Sequence, residues 1–349
     1  MRPARARPKS REPLEVRREQ VVAFRRRASH LDERLPPGPA SLEQAASAGL
    51  PNSMSRAAVV GLHARVQEVE PDAWEDPALV QVWGPRFSAY VIAERDRAVF
   101  TLGRLPDDPE VRREFNEMAD QIEAVSGGEP ADCNEVAKAL GKSDADVLRY
   151  AAPTGRVLIR WDVSLKPELW TVPAPDLDPF AARLELARRY LRVLGPGTAD
   201  SFEQWAGIRA PRGQAAFDAL AGELLAVRTP VGKGWILAED EASMRSALDE
   251  DGPAPARLLP SGDTFTLQWG RDRELLVTNA ERRSELWTSR VWPGAVLVDG
   301  KVAGTWRRAG AVVKIDSWRR LSKAARDAVE AEATSFPLPN LKVTWLSGT

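Results

Sequence analysis

The segment Gly61-Leu62-His63-Ala64-Arg65 places an imidazole and a guanidinium two residues apart. His63 is one of only two histidines in the chain. A neutral imidazole, with a reference pKa of about 6.5, can take a proton from water as a general base. Arg65 stays protonated in any plausible site, and its guanidinium can clamp a phosphate. The plainer interpretations are a satisfied histidine on a helix face and a solvated arginine.

Three carboxylates follow this segment closely, at Glu68, Glu70 and Asp72. A carboxylate within reach of the same site can take over the role of general base. The sequence therefore leaves two sources for that role, the imidazole and one of these acids.

A second group of side chains has the types that contact phosphates and base edges. Arg209, Arg212 and Gln214 open a predicted helix, where unpaired backbone N–H groups favour phosphate. The full set of candidate nucleic-acid contacts is Arg56, Arg86, Arg209, Arg212, Gln214, Lys233 and Lys301. Each of them alone is also compatible with an ordinary surface side chain.

Repeated helix-turn-helix patterns position these residues. The first predicted unit has helices at about 14–35, 41–49 and 55–66, interrupted by Pro36-Pro37-Gly38-Pro39, and a β-rich stretch at 87–100. The second has helices at 115–125, 134–140 and 143–150, then strands at 156–161 and 169–172. The third has helices at 179–194, 199–206 and 209–220, then strands at 224–228 and 235–238 around a Gly-rich tip. Three helices followed by a strand pair define a winged-helix unit.

From Pro253 onward the predicted elements are mainly strands instead of helix-turn-helix units. Strands are predicted at 275–277, 296–298, 302–306 and 312–315, and a helix at 322–333. Asp299-Gly300 is the strongest hairpin signal, because a type I′ turn needs positive φ at both central residues. The pattern predicts a small β-rich domain, for which a barrel is one candidate form.

The predicted fold class is therefore α+β, with tandem winged-helix units followed by a small β-rich domain. The predicted bounds are a disordered basic arm over 1–13, winged-helix units over 14–105, 106–175 and 176–252, a β-rich domain with a closing helix over 253–335, and a C-terminal tail over 336–349.

Composition and charge narrow the class of protein. The 349 residues carry a net charge of −1, yet residues 1–27 hold ten arginines and lysines against three glutamates. A basic arm on an acidic body is a common layout for nucleic-acid binders. The single cysteine excludes an intramolecular disulfide, and with two histidines it leaves no set of metal ligands.

No apolar run approaches the ~20 residues that a membrane span needs, and the N-terminus lacks the apolar core of an export signal. We therefore expect a cytoplasmic, nucleoid-associated monomer that needs no cofactor and no metal.

The order of these units resembles the AlkZ/YcaQ family of winged-helix DNA glycosylases, over about residues 15–335. The stretches that carry the resemblance are Gly61–Arg65, Leu194–Thr198 through Trp235–Leu237, Arg257–Pro260 with Gly270–Leu276, and Val296–Val302 with Gly304–Trp306. The resemblance implies binding to double-stranded DNA and base excision repair of alkylated or crosslinked DNA. It also places the catalytic segment at His63 and Arg65.

The chain departs from the family in that segment. The family has a glutamine, an apolar residue and then glutamine or aspartate, where this chain has His63-Ala64-Arg65. Base excision passes through a cation-like sugar, and a fixed cation at ~4 Å with an effective dielectric near 20 opposes it by about 4 kcal/mol. That forfeits roughly three powers of ten in rate. Arg65 can instead clamp a phosphate while His63 stacks on or hydrogen bonds to a base.

Three functions remain open from the sequence. The first is a DNA glycosylase, and the second is a non-catalytic DNA-binding regulator or lesion sensor, which Arg65 favours. The third is a winged-helix scaffold for other proteins, which the acidic body allows. The sequence favours damage-related DNA binding.

Overall fold

The structure, a computed structural model, describes residues 12–54, 56–161, 166–248 and 253–346. In these ranges the chain is a mixed α+β protein, and its strands form four sheets. The mixed α+β class expected from the sequence is confirmed. Most of the predicted disordered arm, and Ser55 at the predicted start of the third helix, lie outside the described residues.

The N-terminal part of the chain combines helices with a small antiparallel sheet. Its elements are β1 (Leu14–Glu15), α1 (Arg18–Ala28), α2 (Pro39–Ala45), β2 (Leu50–Pro51), α3 (Ala57–His63), β3 (Leu79–Trp83), β4 (Ala89–Ala93) and α4 (Arg97–Leu102). β4 lies in the middle of the sheet, with β2 and β3 on either side. This sheet flanks α3, whose last residue is His63.

Two predictions for this part are wrong in detail. The helix expected over 14–35 is confined to α1, because Leu14 and Glu15 are extended and pair with a distant strand. Val99 and Phe100, expected in a strand, lie in α4. Phe100 is fully buried, with its ring centroid 6.4 Å from that of Trp205. Tertiary packing here outweighs the β preference of the two side chains.

The second part contains the predicted helices and strands in order, but it adds a short strand, and the third helix is a 3₁₀ helix. Its elements are α5 (Pro109–Ser126), β5 (Ala131–Asp132), α6 (Cys133–Ala139), a 3₁₀ helix (Ala145–Thr154), β6 (Val157–Arg160) and β7 (Glu168–Thr171). Asp108 and Asp132 cap α5 and α6 by accepting hydrogen bonds from first-turn backbone N–H groups.

The third part follows the predicted bounds most closely. Its elements are α7 (Pro179–Leu194), α8 (Ala199–Ala206), α9 (Arg212–Ala219), β8 (Leu224–Thr229), β9 (Gly232–Leu237) and α10 (Glu241–Arg245). β8 and β9 form an antiparallel hairpin, and β1 adds to it in parallel, with Leu14 opposite Val227. The core beneath the three helices includes the fully buried side chains Phe202 and Trp205.

The C-terminal part is a sheet with helices before and after its central strands. Its elements are β10 (Arg257–Leu259), α11 (Arg273–Leu276), α12 (Ala280–Leu286), β11 (Gly294–Val298), β12 (Lys301–Ala309), β13 (Val312–Ser317), α13 (Lys323–Thr334) and β14 (Lys342–Trp345). Asp299 and Gly300 join β11 to β12 with φ of 51° and 70°, as the type I′ turn requires.

This sheet differs from the expectation in three ways. It runs in the order β10-β11-β12-β13-β14, with β10 and β14 as its edges, and is therefore open rather than a closed barrel. The strand expected at 275–277 is largely replaced by α11. Part of the region expected to be a C-terminal tail forms β14, which pairs in parallel with β13.

The C-terminal sheet also supports the helix that carries His63. Val59 and Val60 of α3 share one buried cluster with Val296 of β11 and Val329 of α13. α3 is thus held between the small N-terminal sheet and the C-terminal part of the chain. This arrangement brings side chains from both ends of the sequence to the His63 segment.

Candidate active site and nucleic-acid interface

His63 ends α3 and is almost entirely enclosed, with 6% of its surface exposed. Its Nε2 lies 3.1 Å from Ser335 Oγ, and its Nδ1 lies 3.3 Å from Arg34 Nη2. Because the Ser335 hydroxyl donates to the Glu332 carbonyl oxygen, its Oγ accepts a hydrogen bond from the N–H at His63 Nε2. Nδ1 then accepts from Arg34, so both ring nitrogens are engaged.

The surroundings of His63 keep its imidazole neutral. Burial, followed by the positive charges of Arg34 and Arg257, lowers the pKa of His63 to about 3. The ring also packs edge-on against Phe336, with 5.3 Å between the centroids. The imidazole is therefore in the neutral form that a general base needs. The lone pair on its Nδ1 already accepts a hydrogen bond from Arg34.

Glu332 balances the positive charges around His63. Its carboxylate accepts two hydrogen bonds of 2.8 Å from Arg34 Nη2 and lies 3.8 Å from Arg257 Nη1. Its Oε1 is 4.0 Å from His63 Nδ1. Burial raises the pKa of Glu332, and the two arginines partly offset that rise. This cluster joins α13 and β10 to the end of α3.

Arg65 is held by a second buried carboxylate. Its Nη1 and Nη2 donate to the two oxygens of Asp263 at 2.9 and 2.8 Å, and Nη1 also donates to the Gly61 carbonyl oxygen at 2.9 Å. Arg65 is 2% exposed and Asp263 is 1% exposed. A bidentate pair of this kind fixes the guanidinium and neutralises its charge locally.

The acids expected near this segment are not the ones that the fold supplies. Glu68, Glu70 and Asp72 are exposed, and within the described ranges none of them forms a hydrogen bond or an ion pair with His63 or Arg65. Asp263 and Glu332 take those positions instead. Both are far away in the sequence, so neither spacing nor a local motif could have indicated them.

Three of the candidate nucleic-acid contacts are free surface cations. Arg209, Lys233 and Lys301 are exposed, and their side chains make no hydrogen bond or ion pair with the part of the chain that the structure describes. Arg209 precedes α9, Lys233 lies near the tip of the β8–β9 hairpin, and Lys301 begins β12. Gln214 is exposed on α9 and donates to Asp218 at 2.8 Å.

The other three candidates already have partners within the protein. The Arg86 guanidinium lies 4.6 Å from the Trp269 ring centroid, and its Nη1 donates to the Trp205 carbonyl oxygen at 3.3 Å. Arg212 is partly buried, 3.7 Å from Asp107. Arg56 donates to the Pro71 carbonyl oxygen at 3.4 Å. A role for any of these seven residues in DNA binding stays a prediction.

The described residues contain no cluster of three or more His, Cys, Asp or Glu side chains placed to hold a metal ion. None of the described helices is long and apolar enough to cross a membrane.

Comparison with known proteins adds two findings. The model of the family described as DNA glycosylase AlkZ-like matches residues 43–337. Among solved structures, the DNA glycosylase AlkZ of Streptomyces sahachiroi superposes with a TM-score of 0.75 at 18% identity, over 95% of this chain and 100% of that chain. No curated protein sequence matches the chain.

Proposed function

The chain belongs to the AlkZ-like DNA glycosylase family, and from this we propose that it binds duplex DNA and excises bases in the repair of alkylated or crosslinked DNA. The observation that carries the proposal is the family match, which spans residues 43–337 and includes the His63 segment. The shared fold with a solved AlkZ structure supports it.

The third part of the chain supports a winged-helix mode of DNA binding. α7, α8 and α9 are followed directly by the β8–β9 hairpin, the element order of a winged helix. In this arrangement α9 enters the major groove and the hairpin lies along the backbone. Arg209 and Gln214 then face base edges or phosphates, and Lys233 contacts a phosphate. The units proposed from the sequence, over 14–105, 106–175 and 176–252, are retained as the working division of the DNA-binding part.

The pairing of Arg65 with Asp263 supports catalysis in spite of the departure from the family's motif. An isolated cation beside a cation-like sugar would oppose bond breaking by about 4 kcal/mol at ~4 Å. Asp263 hydrogen bonds to that guanidinium at 2.9 Å, so a negative charge lies beside the positive one and opposes its field. The pairing thereby reduces the electrostatic objection to excision in this chain.

The second candidate function is a non-catalytic lesion sensor. It is favoured by the hydrogen bonding of the His63 segment, since Ser335 and Arg34 occupy both nitrogens of the imidazole. The Arg65 guanidinium is similarly committed to Asp263. In this arrangement neither side chain is free to hold an attacking water.

A single experiment separates the two functions. The full chain is incubated with a duplex carrying one 7-methylguanine, and abasic sites are measured by strand cleavage after mild alkali, with binding measured in parallel. We expect abasic sites in the alkylated duplex and none in the matched undamaged duplex. Preferential binding without base loss would identify a sensor. If the chain neither binds nor releases a base from either duplex, both functions are overturned.

A further inference from the structure

A small cavity with both polar and apolar walls lies beside Arg65, between the end of α1 and helix α2. Its volume is about 10 Å³, which is room for about one water molecule. The polar side chains that line it are Ser29, His30, Gln44, Ser47, Arg65 and Thr264. The cavity therefore shares a wall with the segment that the family resemblance marks as catalytic.

One hydroxyl in this cavity lacks a partner. Ser29 is 4% exposed, and its buried Oγ makes no hydrogen bond to any described residue. Buried hydroxyls in proteins nearly always bond to protein or to ordered water. A water molecule held in the cavity would satisfy it.

His30 is placed at the cavity by the way α1 ends. Its backbone is left-handed, with φ of 54°, while its N–H still donates to the Arg27 carbonyl oxygen at 2.9 Å. Only a few per cent of residues other than glycine adopt this conformation. It directs the ring toward α2, where His30 Nε2 lies 3.1 Å from the side-chain nitrogen of Gln44.

The side-chain amide of Gln44 is a suitable hydrogen-bond partner for an imidazole. A half rotation of the amide from the orientation in the structure puts its oxygen in place of the nitrogen, where it accepts a hydrogen bond from the N–H at His30 Nε2. In that orientation Nδ1 keeps a free lone pair, and the amide oxygen stabilises the ring as it gains a proton. Gln44 is exposed and His30 is half-buried, so the pair is reachable from solvent.

The charge around His30 favours the neutral ring. Burial, and after it the positive charge of Arg65, lowers the pKa of His30 below its ordinary value of 6.5. At neutral pH the ring is therefore able to accept a proton.

We propose that His30 is the catalytic base of this chain, that Gln44 positions its ring, and that the attacking water occupies the cavity beside Arg65. The inference rests on the proposed glycosylase function and assigns its chemistry to side chains outside the His63 segment. It accounts for a family member in which both residues of that segment are bound to internal partners.

The reaction is a hydrolysis. The water oxygen forms a bond to the sugar C1′, and the bond from C1′ to the base nitrogen breaks, with its electron pair leaving on the base. A 7-methylguanine is cationic before cleavage and leaves neutral. The proton lost by the water passes to His30 and from there to solvent.

The decisive variant is His30→Gly, because glycine adopts the left-handed backbone of this position without strain. Its fold should be retained, as checked by the urea midpoint. We expect the single-turnover rate of 7-methylguanine release to fall by about 100-fold or more, with the Kd for the duplex unchanged. Added free imidazole should restore part of the rate.

Two further variants test the role of Gln44 and provide a control. Gln44→Ala should slow release by about tenfold without changing the Kd, since one hydrogen bond to the ring is lost. Gln44→Glu should restore the rate, because a carboxylate also accepts a hydrogen bond from the ring N–H. Glu33→Gln changes an exposed side chain three residues from His30 and should match the wild type.

The outcomes separate this inference from the function on which it rests. If the wild type releases the base and His30→Gly retains its rate within threefold, the assignment to His30 is overturned and the glycosylase function stands. A wild-type chain that releases no base overturns both. Two other outcomes would show a structural role and also contradict the proposal. One is a loss of rate in His30→Gly that imidazole does not restore, and the other is a loss of rate in Gln44→Ala that Gln44→Glu does not restore.

Discussion

At the residue scale, the Arg65–Asp263 pair sets the electrostatics of the candidate active site. Both side chains are almost completely buried, and two hydrogen bonds join them. A buried ion pair contributes little net stability, yet removing one partner leaves an uncompensated charge in the interior. The pair is therefore a sensitive point of both the fold and the site.

Asp263→Asn is expected to lower the free energy of unfolding by about 3–5 kcal/mol, because Arg65 stays buried without a counter-ion. The measurement is urea unfolding at neutral pH. The control is Glu285→Gln, which breaks a half-exposed pair with Arg282 and should cost at most about 1 kcal/mol. Equal losses in the two variants would show that Arg65 does not depend on Asp263.

His63 makes a second prediction, which concerns pH. Its pKa is about 3 in the folded chain, whereas that of an unfolded histidine is about 6.5. Between these pH values His63 is protonated in the unfolded chain but neutral in the native chain. The free energy of unfolding therefore falls as the pH falls below about 6.5.

His63→Gln removes this proton linkage. From pH 7 to pH 5 the variant should lose about 2 kcal/mol less of its unfolding free energy than the wild type, which corresponds to a single shifted histidine. His30 and Glu332 are present in both proteins, so the difference isolates His63. Parallel stability curves for the two proteins would contradict the lowered pKa.

The sequence identified only part of this site. The His63 segment was found because of its residue types and the family resemblance. Its partners Asp263, Glu332 and Ser335 lie 198 or more positions away. Contacts at that separation are set by how α3 packs between two sheets, which a periodicity or a spacing rule does not encode.

At the element scale, close packing of α8 on α9 fixes the orientation of the candidate recognition helix. Gly213 N–H donates to the buried carboxylate of Glu203 at 2.8 Å. A Cβ on Gly213 would collide with the Glu203 side chain and lie 2.9 Å from the Ala199 carbonyl oxygen. The absence of a side chain at this position is what lets the two helices approach.

Gly213→Ala is expected to cost about 1–3 kcal/mol of unfolding free energy through overpacking. The matched control is Gly222→Ala in the same part of the chain, where no atom lies within 4 Å of the added Cβ, and the change should stay within about 0.5 kcal/mol. Thermal and urea unfolding of both proteins measure the difference. If Gly213→Ala has the same free energy of unfolding as the wild type, the approach of α8 to α9 does not depend on a glycine at this position.

The elements differ in how well local rules predicted them. α7 and α8 have the predicted bounds, because Asp178 with Pro179, and Thr198, are strong start signals. The Asp299-Gly300 turn was also predicted from a local signal, the Asp-Gly pair itself. Short apolar runs such as 275–277 were misassigned, since a buried helix turn and a buried strand share the same pattern. Pairing of β1 with β8 and of β14 with β13 is non-local and left no signal.

At the scale of the whole molecule, the net charge of −1 hides an uneven distribution of cations. Arg209, Lys233 and Lys301 are exposed in the loop before α9, in β9 and at the start of β12, and they are unpaired among the described side chains. A duplex that contacts all three would release bound counter-ions at each phosphate. Binding must then weaken with salt in proportion to the number of contacts.

The most direct test of the account is the salt dependence of duplex binding by the full chain, measured as the association constant over a range of potassium chloride concentrations. Three phosphate contacts predict a slope of log K against log salt of about −3 or steeper. Replacement of Arg209, Lys233 and Lys301 together by alanine should flatten that slope by about three units. An affinity that does not change with salt, or a triple variant that binds as the wild type does, would contradict DNA binding through these three cations.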